Sequence, residues 1–289
     1  MIEIAGAGLS AAINPLGAEL SSLRDNAGRE LMTDADPAFW SGRAPLLFPI
    51  VGALNGGKYR LDGREYPLAQ HGFARRCAFD VLEATLDRAR FRLVDDPETR
   101  VLYPFAFALD AEFSIQGGTL TIAITATNTG DRDMPASFGF HPAFAWPLPY
   151  GASREAHRIV FEQEEPAPLL ALANGLIATE RPSPLAGRLL PLADSLFAQD
   201  ALIWDRLESR SVRYGADQGS QLEIEFPDTT LLGIWTKPGA RFVCIEPWHG
   251  LADPQGFEGE IWDKPGILRI APGAARTFTM RVTLRPDPH

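Results

Sequence analysis

The 289-residue sequence predicts an all-β protein, an antiparallel β-sandwich, and three observations carry that prediction. Its dominant hydrophobic period is two, the spacing that puts alternate side chains on opposite faces of a strand. The alternating runs are short and bounded by Gly, Pro, Asn or Asp; the chain holds 26 Gly and 24 Pro. Segments with a helical period are scarce. Many short strands joined by frequent turns pack most readily as antiparallel sheets placed face to face.

The elements follow in chain order. EIAGAGLSAAINPLGAELSSLRD reads as an opening meander, a strand and a second strand joined by a turn at Asn14-Pro15. LDGREYPL (61–68) carries Asp-Gly between short apolar runs, a hairpin signal. RFRLV (90–94) alternates loosely, and DPETR (96–100) reads as a solvated loop. FALDAEFSI (107–115) and LTIAITATNTG (120–130) alternate strictly, the second ending in an Asn-Thr-Gly turn. Residues 147–192 are rich in proline and read as excursion loops, with EQEEP (162–166) a further solvated loop. DSLFAQDALIW (194–204) has an acidic start and apolar residues at Leu196, Phe197, Ala201 and Ile203, which predicts one short helix. QLEIEF (221–226) and TFTMRVTL (277–284) alternate again. No composition break divides the chain, so a single domain over 1–289 is expected.

Composition removes several function classes. A net charge of −10 with scattered Lys and Arg argues against a nucleic-acid partner. No apolar run approaches the length of a membrane helix, and the N-terminus lacks a basic segment followed by an apolar one. A cytoplasmic protein with no membrane partner is expected. The two cysteines, Cys77 and Cys244, form no CxxC unit and cannot build a disulfide framework. HxH, HxxxH and HExxH spacings, a Gly-rich phosphate loop and a GxSxG elbow are all missing, so neither a metal nor a cofactor is expected.

Five clusters place polar groups among aromatic and turn residues. They are Arg43 in SGRAPLLFPIVG, His71 to Arg75 in QHGFAR, His141 in FGFHPAFAWP, Asp205 in IWDRLES, and Glu246 in FVCIEPWHG. His141 lies among Phe138, Phe140, Phe144 and Trp146, surroundings in which an imidazole titrates near neutrality or serves as a satisfied core-edge group. Glu246 ends an apolar run beside Trp248, so desolvation should raise its pKa and strengthen it as a base; the alternative is a salt-bridged glutamate, paired with Arg241 or another arginine. His71 and Arg75 flank Gly72, which permits a bend that presents both side chains at a loop. For Arg43 and Arg75 the competing role is an internal ion pair, and for Asp205 a surface pair with Arg206. His157, His249 and His289 lack comparable surroundings.

Four stretches together resemble the aldose 1-epimerase (galactose mutarotase-like) family, and within it the LacX-like branch. They are GRAPLLFPIVGALNGGKYRLDGREYPLAQHGFAR (42–75), SFGFHPAFAWP (137–147), WDRLES (204–209) and FVCIEPWHGLAD (242–253). The resemblance implies a supersandwich with a sugar cleft on one sheet face and an aldose 1-epimerase activity. It implies Glu246 as base, His141 as acid, and His71, Arg75, Arg43 and Asp205 as substrate contacts. The chain reads Leu-Phe-Pro-Ile where the galactose-specific branch has an Asn-Arg pair, and Ala44-Pro45 where the phosphate-using branch has two glycines. Interconverting anomers needs one base and one acid, expected here on opposite sides of the sugar, with His141 held as an imidazolium by a nearby carboxylate. Trp146, Trp248 and Phe140 are expected to offer a flat surface to the sugar. The expected partner is a small sugar, bound by a monomer or homodimer. The competing reading is a non-catalytic carbohydrate-binding or sugar-sensing protein on the same fold, since a fold does not fix a function.

Overall fold

The computed structural model describes residues 1–287, so His289 lies outside the described residues. Strict alternation becomes long antiparallel ladders. Phe107–Gln116 and Thr119–Asn128 pair across a Gly117-Gly118 turn, and Ala275–Arg285 pairs with the other edge of Thr119–Asn128. These are the centre of a nine-stranded sheet, which runs in the order Leu189–Pro191, Arg158–Phe161, Ser211–Gly215, Gln221–Glu225, Ala275–Arg285, Thr119–Asn128, Phe107–Gln116, Arg88–Val94 and Asp80–Ala84. One face of it is apolar at every second residue, as at Phe113, Ile122 and Met280.

An eight-stranded antiparallel sheet packs over that face. Its order is Leu176–Arg181, Leu169–Ala173, Leu202–Trp204, Leu231–Trp235, Phe242–His249, Phe138–Phe140 and Leu46–Leu47, with Ala143–Ala145 also paired to Phe242–His249. The strand Phe242–His249 is buried on both faces, which is why it reads as a continuous apolar run. Val243 and Ile245 point into the main core between the sheets. Phe242, Cys244 and Trp248 belong instead to two smaller clusters on the outer face of this sheet. Glu246 shares their phase, so the sheet aims it outward, away from the main core.

Small pieces complete the molecule. Ile2–Ala5, Leu9–Asn14 and Glu19–Asp25 form a three-stranded sheet, and Lys58–Leu61 pairs with Arg64–Pro67. The expected Asp-Gly hairpin is present, with Asp62 and Gly63 both at positive φ, the geometry of a type I′ turn.

Three local expectations are corrected. DPETR begins the α-helix Pro97–Leu102, not a loop. Asp96 accepts from the Thr99 amide, Thr99 Oγ1 accepts from the Asp96 amide, and Pro97 occupies the first helical turn. The proline-rich stretch 147–192 supplies four strands because its prolines fall mostly between them. Within it, EQEEP is the expected exposed loop at Glu162, Gln163, Glu164 and Pro166, while Glu165 alone is buried and anchors it by accepting from the amides of Glu208 and Ser209. The helix expected over 194–204 is a single 3-10 turn, Asp194–Phe197, followed by the strand Leu202–Trp204, whose side chains are buried on both faces.

Candidate active site

The outer face of the eight-stranded sheet carries a cleft of about 400 Å³, within the size range of small-molecule sites. His71, Arg75, His141, Glu246 and Trp248 all line it. The backbone between Pro142 O and Ile245 N, 3.2 Å apart, ties the segment after Phe138–Phe140 to the strand Phe242–His249. That contact brings His141 Nε2 to 3.2 Å from Glu246 Oε2. The two residues expected as acid and base therefore stand side by side, not on opposite sides of the cleft. This suits the chemistry better, because the two oxygens that exchange protons in anomer interconversion are bonded to the same carbon.

Both groups are nearly inaccessible, Glu246 at 2% and His141 at 8% exposure. Burial pushes the Glu246 carboxyl well above its ordinary range; the Trp248 indole opposes this and the Asp200 carboxylate adds to it. Burial likewise pulls His141 down to about 3, so the imidazole is neutral in the empty cleft and not the expected imidazolium. The pair thus holds one proton between two heavy atoms at hydrogen-bond distance. Trp40 lies against the His141 ring at 4.8 Å, and Trp235 meets it edge-on at 5.9 Å, fixing its plane. The Glu246–Arg241 ion pair considered from the sequence does not form.

Trp248 lies flat on the sheet because two glycines leave room for its ring: Gly139, paired with it across the ladder, and Gly233, paired with Glu246 and so diagonal to it. A Cβ on Gly233 would stand 2.5 Å from the indole, and one on Gly139 would stand 2.7 Å from it. His71 is held by its own backbone in the left-handed region, φ 66°, followed by Gly72 at φ 70°. Gly72 crosses Phe48 so closely that a Cβ would meet the Phe48 carbonyl at 2.1 Å. His71 Nδ1 accepts from the Gly52 amide at 3.1 Å, which leaves its proton on Nε2, beside the Gln70 side-chain amide. Burial, His141 and Arg75 all depress the His71 pKa, so it is a neutral donor and not a second acid. Arg75 reaches the cleft from the turn Ala74–Arg76 and donates to Gln70 O at 3.1 Å.

Other expected contacts stand elsewhere. The Arg43 guanidinium is turned onto the Thr33 and Asp34 carbonyls and does not line the cleft. Asp205 sits one residue past the strand Leu202–Trp204 and pairs with Arg206 at 3.3 Å, outside the cleft. Trp146 stacks under Arg154 at 3.5 Å, and Phe140 belongs to the main core, so neither meets a ligand in the cleft. Sequence reasoning missed Trp40, Trp235 and Asp200, which do line it. Asp200 carries a signal of its own in the structure, a non-glycine residue at φ 71°.

Cys244 lies beneath the pair, its sulfur within 4.8 Å of His141 and Glu246 ligand atoms. Tetrahedral zinc would bring such ligands to about 3.5 Å of one another. Burial and Glu246 push the thiol pKa well up, which disfavours the thiolate that a metal would need.

The loops around the cleft are staked by a buried ion pair. Lys264 Nζ donates to Asp253 Oδ1 at 2.5 Å, while Asp253 Oδ2 accepts from the Asn55 amide at 2.8 Å. Replacing Lys264 with Met strands that carboxylate. The expected loss is about 3–5 kcal/mol of unfolding free energy, read from urea denaturation.

Fold and site together define a β-sandwich protein of the mutarotase-like kind. The chain belongs to the aldose 1-epimerase family, which matches residues 1–269. Protein LacX (chromosomal) of Lactococcus lactis subsp. lactis is 31% identical over 283 residues, spanning 94% of this chain and 95% of LacX. Among solved structures, the galactose mutarotase related enzyme from Lactobacillus acidophilus superposes with a TM-score of 0.93 at 30% identity, over 99% of this chain and 97% of that one. A galactose mutarotase-like protein from Lactobacillus casei gives 0.91 at 30% identity, over 99% and 100%. Among the described residues no helix is long and apolar enough to cross a membrane.

Proposed function

We propose that the protein, acting as one domain, is an aldose 1-epimerase that interconverts the α and β anomers of an aldose, with Glu246 as base and His141 as acid. The observation that carries this reading is the 3.2 Å contact of two buried, proton-sharing groups at the wall of a sugar-sized cleft.

Ring opening transfers the C1 hydroxyl proton to Glu246 and a proton from His141 to the ring oxygen. The C1–O5 bond breaks as the C1 carbonyl forms. Opening starts from carboxylate and imidazolium, and it ends with Glu246 protonated and His141 neutral. That end state is the one burial favours in the empty cleft. The resting pair reaches the starting state, before opening, by passing its single proton from Glu246 to His141 along their contact. After rotation about C1–C2, closure runs the two transfers backward onto the other face. Each positioned group contributes on the order of 10²–10⁴ in rate. His71 Nε2, Arg75, Gln70 and Asp200 are placed to hold hydroxyls, and Trp248, Trp235 and Trp40 to meet C–H faces.

Exchange NMR on an equilibrated aldose, with and without protein, tests this directly. Protein-dependent exchange between the two anomeric signals supports the enzyme. Binding without exchange would leave the sugar-binding reading and remove the catalytic one.

A further inference from the structure

Residues 34–42 leave the sandwich as a short loop and return to it beside His141. Both ends of the loop are tied to Ala143, which lies just past His141 in the chain. The Thr33 amide donates to Ala143 O at 2.9 Å, and the Ala143 amide donates to Arg43 O at 2.8 Å. Asp34, Asp36, Pro37, Ala38 and Ser41 face solvent. Phe39 and Trp40 are turned inward, with both their amides donating to Asp36 O, and they pack on the small cluster of Ala143, Ala240, Phe242 and Cys244. Trp40 thereby covers His141 at 4.8 Å between ring centroids and lines the cleft. One side chain closes the neck of this loop. Arg43 Nη1 donates to Thr33 O at 2.7 Å and Nη2 to Asp34 O at 3.4 Å. The Arg43 and Ala44 amides donate to Glu19 Oε1, so the backbone at Arg43 is fixed while its guanidinium reaches across to the start of the loop.

We infer that Arg43 is a positioning residue: by joining the two ends of the loop it seats Trp40 on His141. A guanidinium suits this task because its planar fork presents several N–H donors at once, here to two consecutive carbonyls. Without it, the backbone ties to Ala143 remain and the fold persists. Asp34 and the left-handed Ala35, φ 55°, then lose the donor that holds them at the neck. Trp40 spends part of its time off the imidazole, which admits water to His141 and disturbs a surface offered to the sugar. The consequence for rate rests on the epimerase reading; the seating of Trp40 does not.

A double-mutant cycle with Arg43→Met and Trp40→Leu tests this. Exchange NMR gives kcat/KM, and the His141 ring protons, shifted in the parent by the Trp40 ring current, report the seating without turnover. Arg43→Met should keep the parental far-UV spectrum and move the His141 signals part of the way to their position in Trp40→Leu. It should lower kcat/KM about 10- to 100-fold, the span expected of a small misplacement at a reacting group. In the Trp40→Leu background the same change should cost less than about twofold, because residues that act through one contact are not additive. Arg43→Lys, a point charge in place of the fork, should recover part of the loss. An equal loss in both backgrounds, or unmoved His141 signals in Arg43→Met, would overturn the inference and leave the epimerase reading in place. Signals that move as expected in a chain that exchanges no aldose would uphold the seat of Trp40 and sink the epimerase reading.

Discussion

Glu246→Gln should lower kcat for anomer exchange at least a hundredfold while making the folded protein more stable at neutral pH. The first effect follows from removing the proton acceptor, a change worth on the order of 10²–10⁴ in rate. The second follows from linkage. The folded-state pKa of Glu246 is raised, so the carboxyl stays protonated in the folded chain and ionises on unfolding above its ordinary range. Stability from this group is therefore complete below the unfolded pKa of about 4.3 and is lost as pH rises toward the folded value. Glutamine carries no such dependence. Thermal melts at pH 7 should place the variant above the parent, and the gap should close near pH 4. A variant that keeps parental turnover would remove Glu246 from the mechanism.

His141→Asn is expected to reduce kcat by a similar factor with little change in KM, because the group acts on the ring oxygen during bond cleavage and contributes little to ground-state affinity. The parent should also show no inflection in kcat/KM near pH 6.5, the place where a free histidine titrates. Burial holds His141 at about 3 and lifts Glu246, so the pair keeps a single proton throughout the neutral range. Activity falls on the acid side only as a second proton reaches His141, and on the alkaline side only as Glu246 gives up the shared one. A fall in affinity with unchanged kcat would make His141 a binding group alone.

Much of the fold was legible in the sequence, for a physical reason. Strands such as Thr119–Asn128 have one face against the core and one face in solvent, and that asymmetry writes itself into the sequence as alternation. Residues 96–102 misled because Asp, Pro, Glu and Thr serve equally well in a solvated turn and in a capping box; only the reciprocal bonds of Asp96 and Thr99 separate the two. In 162–166 the charge of Glu165 suggested solvent, yet its carboxylate is consumed by two backbone amides far along the chain. In the site, Glu246, His141 and His71 sit in distinctive local contexts and were found. Trp40, Trp235 and Asp200 reach the cleft from unrelated segments with no local pattern, so nothing short of tertiary structure assembles them. Reading 194–204 as a helix also hid the turn at Asp200, and Asp205, singled out in its own IWDRLES cluster, faces Arg206 instead.

The cleft wall at Ile177 has a mechanical property. The Ile177 amide donates to Asp253 O at 2.9 Å, and the Gln255 amide donates back to Ile177 O at 2.8 Å. Two segments distant in sequence are thereby riveted into a single panel, with Asp253 anchored in turn by Lys264. Any widening of the entrance has to break both rivets together, so the Ile177 and Gln255 amides should exchange their hydrogens for deuterium at matched rates, and a sugar seated in the cleft should slow both equally.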